Sequence, residues 1–444
     1  MRRRTLLRGG YVVSMDTDIG DLPSGDVLIE NDMIVAVENG ITDNAETIVD
    51  AHGKLVIPGL IDTHLHLWQT PLRGMTADLW AREYFAIVHP MSNRYEPDDM
   101  YWATYGGAVE LLDHGVTGVF DYCHSVNTPA HAESSIRGLT DAGIRANFGY
   151  GLFERENTTF RDRDERLQNF RTLCADTKSD LVDLALALDH DYDANAVELA
   201  RELGALISVH GNPMGLLQAF ADADALGPDV LWVHGNYATQ AELTALAKSG
   251  GSLSLTPDIE MGMGKPVAIF DRAARLGIRV TLGVDVVSYA CADLLTELRL
   301  AYNLHRVLDG QAERDRGHVP PQREPNVPAV SARDVLCSAT VDAATAMGWG
   351  ARTGSLTPGK QADIVLIETR PFGMSIGDPA AHVVLQTTAK DIDTVIVAGT
   401  TRKQDGRLIG VDTAELGSQL DESRLRLLGS SGYGIDVRAR EQGS

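Results

Sequence analysis

Cysteine is scarce in this chain, and basic residues are outnumbered by acidic ones. The four cysteines, Cys123, Cys174, Cys291 and Cys337, are scattered and none forms a CxxC pair, which argues against a disulfide framework or a structural zinc knuckle. Lys and Arg total 39 against 62 Asp and Glu, a net charge of -23. Such a surface repels phosphate backbones and anionic headgroups, so neither nucleic acid nor membrane is an expected partner. The plainer reading is that acidity keeps an enzyme in solution. No stretch approaches the ~18 continuous apolar residues of a membrane helix. The opening MRRRTLLRGGYVVSMD is basic, but Arg8, Gly9 and Gly10 interrupt its short apolar run. It reads as a first strand rather than a signal peptide, and a cytoplasmic address is expected. Solenoid repeats and low-complexity tracts are missing as well.

What is present is a division by periodicity. Residues 1–57 and 354–420 are rich in short β-type runs (DVLIEND, MIVAVENG, QADIVLIE, TVIVAGT) broken by Gly, Asp and Asn. They are expected to form one small β-sandwich domain from the two terminal segments, with residues 421–444 as a C-terminal tail. Between them, residues 58–353 alternate apolar runs with helical patterns such as ANAVELARELG, AELTALAKSGG and VAIFDRAARLG. Eight such runs begin near residues 60, 116, 144, 181, 205, 230, 251 and 279. Eight β/α units predict a closed (β/α)8 TIM-like barrel. An open doubly wound sheet is the alternative, but no GxGxxG or P-loop follows the first run. The Pro-rich stretch 317–334 reads as a surface loop.

A barrel places its chemistry where strands end. The first run ends in His64-Leu65-His66, whose i and i+2 side chains share one side of a strand. The fifth ends in His210, the sixth in His234 and the eighth in Asp285. A histidine at a strand end is most often packed or solvated. Here the joint occurrence carries the signal: neutral imidazoles with one carboxylate suit zinc or ferrous iron and leave positions open for water.

The stretch VIPGLIDTHLHLWQTPLRG resembles the first-strand signature of the amidohydrolase superfamily, in the branch of cytosine, guanine and S-adenosylhomocysteine deaminases and triazine hydrolases. GDVLIENDMIVAV, GVTGVFDY and GSLTPGKQADIVLIE resemble other segments of that branch, so the likeness spans nearly the whole chain. It implies His64, His66, His210 and Asp285 as ligands of one divalent metal ion, zinc before iron. It implies His234 beside the ion, polarising substrate, and Asp285 also as general base. The fourth strand ends LALDHDYD with no lysine, which favours one metal over a bridged pair. Relatives of this kind imply a homodimer or homotetramer acting on a small molecule.

One departure stands out. The deaminases of this branch carry glutamate three residues after the strand-five histidine; here that position is Pro213, which cannot transfer a proton. Glu260 in PDIEMGMG is a replacement acid to test, with Asp189, Asp191, His190 and His124 as further pocket candidates, each also readable as a solvated loop residue. Trp68, Gln69, Arg73 and Trp80 follow strand one and are expected to border the substrate, stacking on it or simply packing the loop. Phe153 to Phe160 and Tyr289 are further rim candidates. The expected reaction is attack of an activated water on an electrophilic carbon of a small nitrogen heterocycle, with deamination foremost. The alternatives are a different leaving group on the same scaffold (halide, amide or cyclic amide) and a non-catalytic metal-binding protein.

Overall fold

The computed structural model describes residues 3–153, 157–211, 213–267, 269–321, 330–369 and 375–431. Parts of the proline-rich loop (322–329), of the FERENTTF segment (154–156) and of the tail (432–444) lie outside them.

Nine strands form a mixed sheet: β1 (Arg4–Val13), β2 (Asp21–Glu30), β3 (Met33–Glu38), β4 (Thr47–Asp50), β5 (Lys54–Pro58), β14 (Ile364–Glu368), β15 (Ile392–Val397), β16 (Thr400–Gln404) and β17 (Arg407–Leu408). The order is β17-β16-β15-β14-β5-β1-β2-β3, with β4 beside β1. The terminal segments meet where β5 pairs antiparallel with β14, Lys54 opposite Glu368 and Pro58 opposite Ile364. Leu7, Val27, Ile34, Val56, Ile364 and Ile396, from strands of both segments, share one buried core.

All eight apolar runs are strands: β6 (Leu60–Leu65), β7 (Val116–Cys123), β8 (Arg145–Gly151), β9 (Val182–Leu188), β10 (Leu206–His210), β11 (Val230–Val233), β12 (Ser252–Leu255) and β13 (Arg279–Leu282). They pair in parallel in chain order. Nearly every residue in them is buried, as expected for a parallel sheet covered by helices. The helices follow local rules: Asp162, Asp193 and Thr239 cap N-termini through their side chains, and Gly143, Gly204 and Gly250 end helices in the left-handed conformation.

The barrel closes just past the ends of its first and last strands. Asp285 N–H donates to the carbonyl of His64 at 2.8 Å, and His66 N–H donates to the carbonyl of Asp285 at 2.8 Å. This approach requires Gly283, where an added Cβ would sit 2.6 Å from the His64 carbonyl oxygen. Hydroxyls of Thr63, Ser254 and Thr281 join β6, β12 and β13, Thr63 Oγ1 lying 2.7 and 2.8 Å from the other two.

Barrel and sheet are tied by a buried ion pair. Arg145 Nε and Nη2 lie 2.7 and 3.2 Å from the carboxylate of Asp363, which also accepts the N–H of Ala398 at 2.7 Å. Residues 421–431, read from sequence as the start of a tail, instead complete the helix Thr413–Ser431, with Leu427 fully buried.

Candidate metal centre

Five side chains converge at the C-terminal end of the barrel. Donor atoms of His64, His210, His234 and Asp285 all lie within 4.8 Å of one another. His66 joins them through Asp285, whose Oδ1 is 3.2 Å from Nε2 of both His64 and His66. Nε2 of His210 lies 3.1 Å from Nε2 of His64, and Nε2 of His234 lies 3.7 Å from Oδ2 of Asp285. His66, His124 and His210 form a second group within the same reach, so His210 is common to both.

The donor set fits a divalent cation. Nδ1 of His66 donates to the carbonyl of Tyr122 at 2.7 Å, so in the neutral ring Nε2 carries a lone pair aimed at a carboxylate oxygen. Burial pushes the Asp285 carboxyl up, but hydrogen bonds from His64 and His66 and positive charge at the surrounding imidazoles hold it well below the usual carboxylate range, so its ionisation goes with a cation, proton or metal, between it and those nitrogens. Something positive must lie between such acceptors. A proton is disfavoured, because burial lowers the pKa of His64, His210 and His234. A metal ion meets the requirement, and the contacts at the far nitrogens of His66, His210 and His234 are those such sites need, while Nδ1 of His64 is buried without a partner. His234 and Asp285 hold positive φ angles of 65° and 71°, a strained backbone that persists where the surroundings over-determine it and that clusters at functional sites.

Behind these residues lies a layer of which the sequence reading reached only Asp189. Asp62, fully buried, accepts the N–H of His64 at 3.0 Å and of Val284 at 3.2 Å, so one carboxyl braces both edges of the closure. Burial pushes its pKa up to about 8. Asp121 accepts the N–H of Leu67 at 3.1 Å, and burial raises it to about 7. Asp189 Oδ2 sits 3.4 Å from Nδ1 of His210, 3.5 Å from Nε2 of His124 and 3.8 Å from Nε2 of His190.

A cavity of about 130 Å³ opens over the cluster. Its wall includes Trp68, His124, Asp189, His190 and Pro213, and also one face of the helix Ala81–Ser92, carrying Tyr84, Phe85, Val88 and His89. Met263 and Lys265 close the far side. The helical face was readable as an i, i+1, i+4, i+5 pattern in EYFAIVH; Lys265 carried no such signal. A larger depression of about 560 Å³ is lined by Asn147, Asp183, Arg201 and Arg352 and shares no residue with the cluster.

Four expected site residues do not line this cavity. Gln69 is buried beside it, donating to the Tyr84 hydroxyl and accepting from Ser288, each at 2.7 Å. Arg73 turns away to pair with Glu110. Trp80 is largely exposed and lies against Gly264, where an added Cβ would meet its ring at 2.8 Å. Glu260, expected as a replacement acid, is behind His234: its Oε1 is 3.2 Å from His234 Nδ1, on the side away from Asp285. Burial raises its carboxyl to about 7, against the charge of Lys265 and hydrogen bonds from Asn236 and Thr256. Asp191 and Tyr289 are also outside the wall.

Comparison with known proteins agrees with this geometry. The sequence profile of the amidohydrolase family matches residues 55–402. The 5'-deoxyadenosine deaminase of Methanosarcina acetivorans is 27% identical, covering 94% of this chain and 96% of that protein. The 5-methylthioadenosine/S-adenosylhomocysteine deaminase of Pyrococcus abyssi is 27% identical, over 92% and 95%. Among solved structures, an adenosine deaminase from Xanthomonas campestris with bound zinc has a TM-score of 0.81 at 22% identity, covering 95% of this chain and 98% of that one. The atrazine chlorohydrolase of Arthrobacter aurescens complexed with zinc has a TM-score of 0.80 at 21% identity, covering 95% and 100%. At these identities the solved structures establish the fold.

Proposed function

The chain belongs to the amidohydrolase family, and from that premise we propose that it hydrolyses an amino group from a compact nitrogen heterocycle. The observation that carries this reading is the convergence of His64, His66, His210, His234 and Asp285 beneath one small cavity. We assign His64, His66, His210 and Asp285 to hold one divalent ion, zinc before iron. His234 stands apart from them as the ring whose far nitrogen is engaged by Glu260 and Thr256.

When bound, the ion supplies a water whose pKa falls from 15.7 towards ~7. Asp285, ionised and facing the same point, takes a proton from the attacking water and returns it to the departing nitrogen. His234, held by Glu260, presents Nε2 to the charge that develops at the attacked carbon. The aromatic and imidazole wall of Trp68, Tyr84, Phe85 and His124 suits a flat ring. At about 130 Å³ the cavity is well under the ~300–1,000 Å³ of drug-sized sites. That size supports a substrate without ribose, unlike those in the names of the sequence relatives. We propose the acidic protein to be a cytoplasmic homo-oligomer.

The test is ammonia release across free purines, pyrimidines and triazines, beside their nucleosides, with metal content measured on the same sample. A metal-free protein, or one that releases no ammonia from any of them, contradicts the reading. Pro213 on the cavity wall favours a second reading, loss of a weakly basic group such as chloride; chloride release without ammonia would select it.

A further inference from the structure

This inference rests on the deamination reading. Water adding to a C(NH2)=N edge forms a C–O bond and pushes the C=N π electrons onto the ring nitrogen, which must receive a proton. Pro213 offers none. Asp285 has its own proton to move, and Glu260 is behind His234. The group required is on the cavity wall, is not tied to the ligand cluster, and can both give and regain a proton.

His124 and Asp189 are tied to the cluster, since His124 falls within ligand reach of His66 and His210 and Asp189 contacts His210. Lys265 acts on Glu260 and His234 at the opposite wall. His190 remains. It follows β9, lines the cavity beside Pro213, and its side chain is 64% exposed at the rim, where a substrate would cover it. Its φ is +68°, a conformation few non-glycine residues adopt. Nε2 lies 3.8 Å from Asp189 Oδ2, a carboxylate able to steady the cationic ring. An imidazole exchanges protons near neutral pH.

We propose that His190 is the catalytic acid that protonates the ring nitrogen in place of the absent glutamate. The protons balance. His190 gives one to the ring nitrogen as water attacks, while Asp285 takes one from that water. On collapse Asp285 passes its proton to the amino group, the C–N bond breaks and ammonia leaves. The new hydroxyl becomes a carbonyl, and its proton recharges His190. The other charged or titratable groups on this wall are His66, Tyr84, His89, His124, Asp189, His210, His234, Lys265 and Asp285.

His190→Gly suits the positive φ and opens space for a small base. Kinetics of the full-length metal-loaded protein should show kcat lowered ~10²–10⁴-fold, with metal content and Tm unchanged, and recovery on adding imidazole. His190→Gln should be equally slow but not rescued by imidazole. A His190→Gly variant within about threefold of wild type overturns this assignment and leaves the deamination reading standing. Loss of activity together with metal, or with no imidazole rescue, overturns it as well. A wild-type protein that releases no ammonia removes both.

Discussion

Nε2 of His66 lies 3.2 Å from Oδ1 of Asp285 while its Nδ1 is committed to the Tyr122 carbonyl at 2.7 Å. Two electron-rich atoms therefore face each other in a buried place. Chelation should remove what separates them: Tm should fall by several degrees and return as zinc is titrated back, because a ligand bound only by the folded state at ~1,000 Kd contributes about 4 kcal/mol. Identical melting curves with and without chelator would count against a metal at this point. Asp285→Asn should lower kcat at least ~10²-fold without unfolding the chain.

Glu260 should act on rate through His234. Glu260→Gln keeps the size of the side chain but weakens its hold on Nδ1, and kcat should drop ~10–100-fold, the usual effect of losing an outer partner at a metal site. Its raised pKa has a sign. The folded state retains a proton up to about pH 7 that the unfolded chain releases near ~4.3. That contribution to stability is complete below the unfolded value and is lost as pH climbs through the folded one. Wild type should thus lose more stability than Glu260→Gln between pH 5 and 8, by roughly 1–3 kcal/mol. Parallel Tm–pH curves for the two proteins would refute it.

Asp62→Ala would leave the N–H groups of His64 and Val284 without their acceptor. Each unsatisfied buried group costs about 1–3 kcal/mol, so a marked fall in Tm is expected. Zinc affinity should fall with it, since both edges of the closure lose their brace. Unchanged zinc affinity in this variant would show that the brace does not set the site.

Arg145→Met strands the Asp363 carboxylate in a fully buried position. Breaking one partner of a buried pair typically costs about 3–5 kcal/mol, and the paired change Arg145→Met with Asp363→Leu should recover most of it. Urea melts of the single and double variants measure the difference; a double variant as weak as the single one would mean that the pair does more than cancel its own charge.

Much of this was legible in the chain. The eight barrel strands announce themselves because each is buried on both faces and hence continuously apolar, as in VTGVFDY and LISVH. His64, His66, His210, His234 and Asp285 were readable because strand ends on one rim must meet. The rest depends on where long side chains turn. Arg73 and Gln69 sit in the expected loop, yet one reaches Glu110 and the other Tyr84, 37 and 15 residues away. Nothing local distinguishes a loop carboxylate that faces the cavity from one, like Glu260, that stands behind an imidazole. Tyr84, Phe85 and His89 were readable as one face of a helix but not as a cavity wall, because an amphipathic face is the same whether it packs on a core or roofs a void.

The bonds that join His64 and His66 to Asp285 are also the seam that turns a curved sheet into a tube. Under the ligand assignment proposed above, cation and closure depend on the same three residues, whose positions span most of the barrel sequence. A nascent chain can assemble seven strands and still have nowhere to seat the ion until the eighth arrives. Any truncation or nick that frees the segment around Asp285 should release the metal and open the tube in a single event.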